Sequence, residues 1–518
     1  MERMSRREFH KRVALGVGAA ATTLSPAVSK AQSRKRPNIV FICSDQHSYK
    51  YTGYNGHPFV ETPNLDKLAK QGVVFENNYC GNPVCTPSRA SMMTGVYASD
   101  TGSYCNSTVW TNQHPTWANL LSESGYKCWA TGKFDLHDKY DIGFEQIDTT
   151  HGHAHNPDIT SLFRLPPIAR YNERPQIDGS SREEPHHDLH LLQNAQMFLS
   201  EQAVNLDKPW ALYVGFSQPH PDFRAQKKYF DRYYPNRVDM PNVPPGHVEN
   251  LHYVFQQLRH FKRIATPIEE EKIRRARAGY YGMITELDDY VGQLWDTLEQ
   301  TGQLDNTIFI YTSDHGETLG EHGLWLKNNL YDVAARVPLI IAGPGIPQGV
   351  RVSTATAHVD LMATLLEWAN VRQPSYLRGH SLTPLMQGKQ GNHPGFAFCE
   401  THSEGNATGS FMIRKGDWKY IHFSFYDDLL FNVKEDPYEF DNRIDDPEVE
   451  DIKLELQELL NQQVDPKSVT MAAFEKQKKM RDEFVRTLDE QGLVELLKGR
   501  LGEGQSRALA HGLKRGLL

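Results

Sequence analysis

The residues best suited to chemistry lie between Cys85 and Gly95, in the stretch Cys-Thr-Pro-Ser-Arg-Ala-Ser-Met-Met-Thr-Gly. Pro87 fits the first turn of a helix, because the amide hydrogen that proline lacks has no intrahelical partner there. A cysteine at this position lies at the positive end of the helix, which stabilises an anionic nucleophile or substrate. Arg89 lies four residues further on, on the same helical face, and can hold an oxyanion. Taken alone, the stretch also fits a buried free cysteine before an ordinary helix.

Two acidic residues follow short apolar runs that have the pattern of buried parallel strands. Asp45 follows the run that begins at Asn38, and Asp314 comes shortly after the run Thr307–Tyr311. The carboxyl ends of parallel strands meet at one edge of a sheet, where α/β proteins place functional side chains. Each residue could be an ordinary turn or cap. As a pair at one sheet edge, they are predicted ligands of a hard metal ion.

Basic side chains follow two further predicted strands. Lys133 comes after the run that begins at Tyr126, where its ammonium can reach an anion as a point charge. His220 lies between two prolines after the apolar run 209–216. The prolines hold His220 in a rigid, extended loop, which suits a general acid whose position matters.

The order of these motifs resembles that of type I sulfatases, members of the alkaline phosphatase superfamily, across roughly residues 36–465. The resemblance rests on Cys-x-Pro-Ser-Arg at 85–89, Gly-Lys at 132–133, Pro-His at 219–220, and Asp-His-Gly-Glu, Gly-Glu-His-Gly and Lys between Asp314 and Lys327. It implies that a formylglycine-generating enzyme oxidises Cys85 to formylglycine. The hydrated aldehyde then attacks the sulfate ester, which splits one difficult step into two easier ones.

The resemblance also implies roles for individual side chains. The expected metal is Ca²⁺, and its expected ligands are Asp45, Gln46, the modified Cys85, Asp314 and His315. Imidazole is an unusual Ca²⁺ ligand, so His315 is alternatively an acid or base. The expected catalytic residues are Cys85, Arg89, Lys133, His137, His220 and Lys327. Among them, the cations hold oxyanions and His220 protonates the leaving oxygen.

The sequence departs from the common sulfatase pattern at two positions. Gln46 stands where a second aspartate is common, as in some choline-sulfatase-like and phosphonate-hydrolase-like relatives, and is expected to offer a neutral oxygen. Asp135 stands where many sulfatases have a histidine, so His137 is the expected replacement. Within the family, the chain resembles the arylsulfatase K group of uronate 2-sulfatases.

Substrate contacts are expected from Lys133 and Lys327 and from two further histidines. His252 lies in the irregular, basic and aromatic segment 222–270, and His402 lies between two predicted strands. Both are predicted to reach the rim of the substrate pocket.

The predicted fold is α/β. A large, mostly parallel sheet sandwiched by helices is expected in a catalytic domain at 35–375, followed by a smaller α+β subdomain at 376–518. The runs Phe396–Glu400, Ser410–Ile413, Trp418–Phe423 and Leu429–Asn432 predict an antiparallel sheet in that subdomain, and a helical tail follows.

Composition and charge restrict the partners. The 518 residues are 39% hydrophobic with a net charge of −8, which indicates a globular protein with no general attraction for nucleic acid. Residues 1–31 resemble a twin-arginine signal peptide, with Arg6-Arg7 before the weakly apolar run Val13–Val28. That run is too short for a membrane span, so no membrane anchor is expected. The mature protein is predicted to be periplasmic or secreted.

The predicted reaction is hydrolysis of sulfate monoesters, on sulfated carbohydrates that include uronate 2-O-sulfates. Two alternatives remain open at this stage. A phosphonate or phosphodiester hydrolase of the same superfamily could use the same site, and Gln46 is compatible with it. A protein that binds sulfated glycans without turnover would result if Cys85 stayed a thiol.

Overall fold

Strands that are buried on both faces form the centre of the protein. The computed structural model describes residues 36–152, 157–164, 168–170 and 173–516, and the predicted signal peptide lies outside these ranges. The described strands are β1 Asn38–Ser44, β2 Gly72–Phe75, β3 Asn78–Tyr79, β4 Lys127–Lys133, β5 Glu145–Thr150, β6 Ser180–Arg182, β7 Trp210–Gly215, β8 Arg224–Gln226, β9 Thr307–Ser313, β10 Leu339–Ala342, β11 Val350–Val352, β12 Thr356–Ala357, β13 Phe396–Thr401, β14 Ser410–Lys415, β15 Trp418–Phe423 and β16 Leu429–Asn432.

The helices cover the sheets and extend to the end of the described chain. They are α1 Pro63–Gln71, α2 Cys85–Thr94, α3 Ala98–Thr101, α4 Trp117–Glu123, α5 Asp188–Met197, α6 Lys227–Phe230, α7 Tyr253–Phe261, α8 Glu270–Gln300, α9 Asp332–Ala335, α10 Val359–Trp368, α11 Thr383–Met386, α12 Glu450–Gln463, α13 Pro466–Thr487, α14 Glu490–Leu501 and α15 Glu503–Lys514. None of the described helices has both the length and the apolar character that a membrane crossing requires.

The central sheet has eight strands in the order β11-β2-β10-β9-β1-β7-β4-β5. Strands β9, β1, β7, β4 and β5 run parallel to one another, and β10 runs antiparallel to both of its neighbours. Strand β1 alternates between two cores. Phe41 packs with α2, α4 and α10 on one face, whereas Ile42 packs with α1, α5 and α8 on the other. The sheet is therefore covered by helices on both faces, as such near-continuous apolar strands require.

The second sheet is antiparallel, in the order β13-β14-β15-β16, and helix α12 packs against it. The predicted fold class is confirmed, and all four strands of this sheet overlap the segments predicted from the sequence. Helices α13 to α15 supply the helical tail.

The register of the parallel strands determines where the functional side chains meet. Ser44 of β1 pairs with Ser313 of β9, and Gly215 of β7 pairs with both Cys43 and Gly132. The strands therefore end at one level. The residues that directly follow them converge at the carboxyl edge of the sheet.

Candidate active site

The carboxylates of Asp45 and Asp314 lie side by side at this edge, and both residues are fully buried. They follow β1 and β9, as the sequence predicts. The backbone N–H of Gln46 donates to Oδ1 of Asp314 at 3.0 Å, which ties the two strand ends together. Gln46 has a left-handed backbone with φ of +72°, an uncommon conformation for a residue other than glycine.

Cys85 is the first residue of α2, and every residue of this helix is buried. Its Sγ lies 2.7 Å from Nζ of Lys327, 3.3 Å from Nε2 of His315 and 4.0 Å from Oδ1 of Asp45. The side-chain oxygen of Asn106 accepts the N–H of Thr86 at 3.1 Å and so caps the helix from a distant loop. The nucleophile candidate therefore sits at a positive helix end and among charged partners.

These partners change the acidity of the thiol. Burial and the Asp45 carboxylate both raise the pKa of Cys85. The positive charges of Lys133, Lys327 and His315 outweigh them and bring this pKa from 9.0 down to about 6. These charges therefore favour the thiolate of Cys85 at neutral pH, and the thiolate is the form that acts as a nucleophile.

Arg89 joins both carboxylates from within α2. Its Nε donates to Oδ2 of Asp314 at 2.9 Å, and its Nη2 lies 3.5 Å from Oδ2 of Asp45. Nη1 donates to the hydroxyl of Tyr213 at 3.0 Å and to the backbone oxygen of Lys133 at 2.8 Å. The guanidinium is thus fixed in one orientation, and it is completely buried.

Lys133 completes the ring of charges. Its ammonium contacts Oδ2 of Asp45 and lies 3.2 Å from Oδ2 of Asp135. Burial alone would lower the pKa of Lys133, but the carboxylates of Asp135 and Asp45 hold it well above 10.5. Conversely, burial would raise the pKa of Asp45, and Lys133 is the largest of the charges that hold it well below its usual range.

His220 lies in the loop after β7, as predicted, and is partly exposed. Its Nδ1 lies 2.7 Å from the backbone oxygen of Pro221, an arrangement in which Nδ1–H donates and Nε2 is left for other work. The loop is fixed to the sheet edge because the N–H of Asp45 donates to the oxygen of Gln218 at 3.1 Å. Burial, followed by the charge of Lys327, lowers the pKa of His220 well below 6.5.

Several groups at this edge have the chemistry of a metal site. Asp45, Cys85, Asp314 and His315 each offer a ligand atom, and these four atoms lie within 4.8 Å of one another. Nδ1 of His315 lies 3.0 Å from the oxygen of Gly316, which leaves Nε2 facing the cluster. The side-chain nitrogen of Gln46 contacts Glu317, while its buried Oε1 has no hydrogen-bond partner. The donor set therefore fits a divalent cation.

Three predicted histidines lie elsewhere. His137 is on the surface after β4, 3.2 Å from Asp138. His252 precedes α7, where its Nδ1 accepts the N–H of Val254 and its ring stacks on Phe423 at 4.1 Å. His402 is fully buried and bonded to Glu400 at 2.7 Å, so it forms part of the core instead of the pocket rim.

Two buried residues support the site and had not been predicted to do so. Glu317 accepts the N–H groups of Leu319 at 2.8 Å and Leu326 at 2.7 Å, in addition to contacting Gln46. Glu317 is the last residue of the Asp-His-Gly-Glu motif, and this position in the sequence indicates a residue of the site. Lys262 donates to the backbone oxygen of Lys327 at 2.6 Å, and a single lysine in an irregular segment gave no signal.

Comparison with known proteins agrees with this arrangement. The sulfatase family profile matches residues 37–371, and a profile described as N-sulphoglucosamine sulphohydrolase, C-terminal, matches residues 320–466. A choline-sulfatase of Rhizobium meliloti (strain 1021) is 32% identical over 80% of this chain and 83% of its own length. Arylsulfatase K of Danio rerio is 31% identical over 88% of this chain and 89% of its own length.

Solved structures share the fold. The phosphonate monoester hydrolase of Agrobacterium radiobacter superposes with a TM-score of 0.70 at 25% identity, covering 83% of this chain and 95% of that one. A structure titled as a 2-O GAG sulfatase gives 0.67 at 25% identity, covering 88% and 94%.

The fold and site together define a hydrolase of the alkaline phosphatase superfamily, with a candidate nucleophile at a helix start and charged residues at the carboxyl edge of a mostly parallel sheet. The chain belongs to the sulfatase family and is a sulfuric ester hydrolase.

Proposed function

We propose that this enzyme hydrolyses sulfate monoesters with a formylglycine derived from Cys85 and with a divalent metal, Ca²⁺. The observation that carries the proposal is the surroundings of Sγ, which lies 2.7 Å from Nζ of Lys327 at the start of a buried helix. Formylglycine supplies a hydrated aldehyde, which offers one hydroxyl to attack the sulfur and a second to expel the sulfate.

Asp45, Gln46, Asp314 and His315 are the residues that would hold the cation. Two buried carboxylates, a buried amide oxygen without a hydrogen-bond partner and an imidazole nitrogen face the same place. When bound, the cation supplies positive charge that offsets the sulfate and acidifies a neighbouring hydroxyl.

The remaining side chains bind the anion and move one proton. Lys327 and Lys133 place ammonium groups beside the position of Sγ, where negative charge develops during the reaction. Arg89 holds the two carboxylates in place through its bond to Asp314 and its contact with Asp45. His220 donates a proton to the leaving oxygen from Nε2, because the Pro221 carbonyl engages Nδ1–H. It acts in its protonated form, which the negative charge of the bound sulfate favours, although burial and Lys327 lower the pKa of His220 in the free site.

For the substrate, we propose sulfated carbohydrate, with 2-O-sulfated uronate as the first candidate. The similarity to arylsulfatase K and to a structure titled as a 2-O GAG sulfatase supports this choice. We also propose export by the twin-arginine route, supported by Arg6-Arg7 and the apolar run that follows. The division into a catalytic domain at 35–375 and a C-terminal subdomain at 376–518 is part of the same proposal.

A phosphonate or phosphodiester hydrolase is the second candidate. It is favoured by one observation, the TM-score of 0.70 with a phosphonate monoester hydrolase. Matched 4-nitrophenyl sulfate and 4-nitrophenyl phenylphosphonate separate the two candidates, because they share a leaving group and differ in the group that is attacked.

The maturation of Cys85 is tested by the mass of the tryptic peptide 71–89, from protein made together with a formylglycine-generating enzyme. Cys80 lies in the same peptide and provides an internal control, because it should be alkylated while Cys85 is not. We expect the aldehyde or its hydrate at Cys85 and faster turnover of the sulfate. An alkylated Cys85 together with an absence of sulfatase activity would favour the non-catalytic glycan binder.

A further inference from the structure

Within the part of the chain that the structure describes, Arg164 is a buried cation without a counter-ion. Arg164 is only 4% exposed, and none of its three guanidinium nitrogens has a hydrogen-bond partner among the described residues. Its guanidinium carbon lies 4.2 Å from the ring centre of Phe474, in α13. Of the described residues, Cys105, Tyr104 and His402 lie close enough to interact with its charge, and none of these three is a carboxylate. Buried guanidinium groups usually have anionic partners, because an isolated charge is costly to remove from water.

Two other buried arginines, Arg277 and Arg170, follow that rule. Arg277 is completely buried and lies 2.8 Å from Asp239, and Arg170 contacts Glu173 at 2.7 Å. Burial lowers the pKa of Arg164 to about 9, whereas the pKa of Arg277 is held well above its ordinary value despite burial. Tyr281 and Tyr51 raise it most, and the carboxylates of Asp239 and Glu321 add to their effect. Arg164 thus differs from them in lacking the anion.

The side chain of Arg164 lines a cavity of about 770 Å³. This volume is typical of sites for small organic ligands, which are mostly apolar with a few polar groups that fix orientation. The other lining residues are predominantly apolar and include Leu162, Phe163, Ile168, Met471, Phe474 and Leu509. Met471 is 45% exposed and Phe425, also at this cavity, is 62% exposed, so apolar surface continues to the solvent.

We propose that this cavity binds an amphipathic monoanion, a carboxylate or sulfate with an apolar body, whose head group pairs with Arg164. A planar guanidinium forms two parallel hydrogen bonds with a carboxylate, and both of its outer nitrogens are available here. The apolar walls bury the body of the ligand. Lys478, Arg481 and one carboxylate, Glu475, also line the cavity, so its charged lining is net positive and favours the approach of an anion over a cation.

This cavity is separate from the site around Cys85, but it lies next to a loop that supports that site. Tyr104 and Cys105, next to Arg164, immediately precede Asn106, whose side chain caps the helix that starts at Cys85. The proposal does not depend on the sulfatase mechanism, because it rests on the cavity and its charge alone.

The test is titration calorimetry of the full chain with decanoate, in which the R164M variant separates binding in this cavity from binding to the cations beside Cys85. We expect saturable binding of one decanoate, with decanol at least tenfold weaker. R164M should weaken decanoate binding at least tenfold and leave decanol binding unchanged, whereas R164K should retain part of the preference for the anion. The matched control is R486M, which removes an exposed charge from the same helix that holds Phe474.

A measurement without ligand adds a second test. An arginine that serves only structure stabilises the fold, whereas an unpaired buried charge destabilises it. We therefore expect the melting temperature of R164M to equal or exceed that of the wild type without decanoate, and to lose the increase that decanoate produces in the wild type. Equal affinities for decanoate and decanol in the wild type, or unchanged decanoate affinity in R164M, would overturn the proposal.

Discussion

Replacing Lys262 by methionine should change how the stability of the protein depends on pH. Lys262 is completely buried, and its ammonium donates to the backbone oxygens of Trp325 at 2.9 Å and Lys327 at 2.6 Å. Leu326 and Asn328, on either side of Lys327, both have positive φ. The ammonium therefore holds an irregular turn that presents Lys327 to Cys85.

The magnitude follows from the pKa of Lys262. Burial is the largest influence, and it lowers this pKa from 10.5 to about 8, against the opposing effect of Glu173 and Glu317. Between these two values the unfolded chain binds a proton that the folded chain does not. The free energy of unfolding of the wild type therefore rises with pH in this window, by about 1.4 kcal/mol per pH unit. K262M lacks this titration.

The two proteins should be compared by urea unfolding at pH values from 7 to 9.5. The wild type should gain about 2 kcal/mol relative to K262M over this range, because the other ionisable groups cancel in the difference. In K262M the backbone oxygens of Trp325 and Lys327 lose their donor, which lowers the free energy of unfolding by about 1–3 kcal/mol for each oxygen. This loss is the same at every pH, so it shifts the difference between the two proteins without changing its slope with pH. K272M, at a partly exposed lysine in α8, is the control for loss of one charge. A K262M difference that stays flat with pH would refute the reasoning.

Three further predictions address the proposed chemistry. H220Q should slow the turnover of a sugar sulfate by about 10²–10⁴-fold, because the leaving sugar oxygen needs a proton. It should slow the turnover of 4-nitrophenyl sulfate less than tenfold, because nitrophenolate leaves without one. Equal losses with both substrates would contradict the role of His220 as a general acid. Chelation with EGTA should abolish turnover and lower the melting temperature. Added Ca²⁺ should restore both in the wild type but not in D314N. Activity that survives chelation would argue against a catalytic metal. In protein made without the maturation enzyme and kept in EDTA, the rate of alkylation of Cys85 should rise with pH with a midpoint near pH 6. The positive charges of Lys133 and Lys327 lower the pKa of the thiol by more than burial and Asp45 raise it. A midpoint near pH 9 would show that these charges do not act on the thiol.

The strands and most of the site could be predicted because they depend on local patterns. Continuous apolar runs that end in polar residues predict buried parallel strands, and β1, β7 and β9 match their predicted segments closely. Asp45, Cys85, Asp314 and His315 meet because each lies at the end of a strand or the start of a helix. The sheet brings such positions to one edge.

The histidines could not be placed in the same way. His137, His252 and His402 lie in loops or next to strand ends, where local sequence does not determine which partner a side chain meets. His402 turns inward because Glu400, two residues earlier, accepts from it at 2.7 Å, and the edge of Tyr104 covers its ring at 5.1 Å. His220 lies in the loop after β7, where the sequence predicts it, but the loop does not run extended. It turns at Gln218 and Pro219, where the N–H of His220 donates to the oxygen of Ser217 at 2.9 Å.

The contacts around Glu404 show how the C-terminal subdomain takes part in building the site. Its Oε1 accepts the N–H of Asn106 at 3.1 Å, and its Oε2 accepts from Asn328 at 3.3 Å. Asn106 caps the helix that begins at Cys85, and Asn328 follows Lys327 in the chain. The carboxylate of Glu404, in the loop after β13, thus helps to fix both helix α2, which begins at Cys85, and Lys327, whose Nζ lies 2.7 Å from Sγ of Cys85. The predicted boundary at residue 375 therefore marks a change from parallel to antiparallel structure, while the wall of the active site is built from both sides of it.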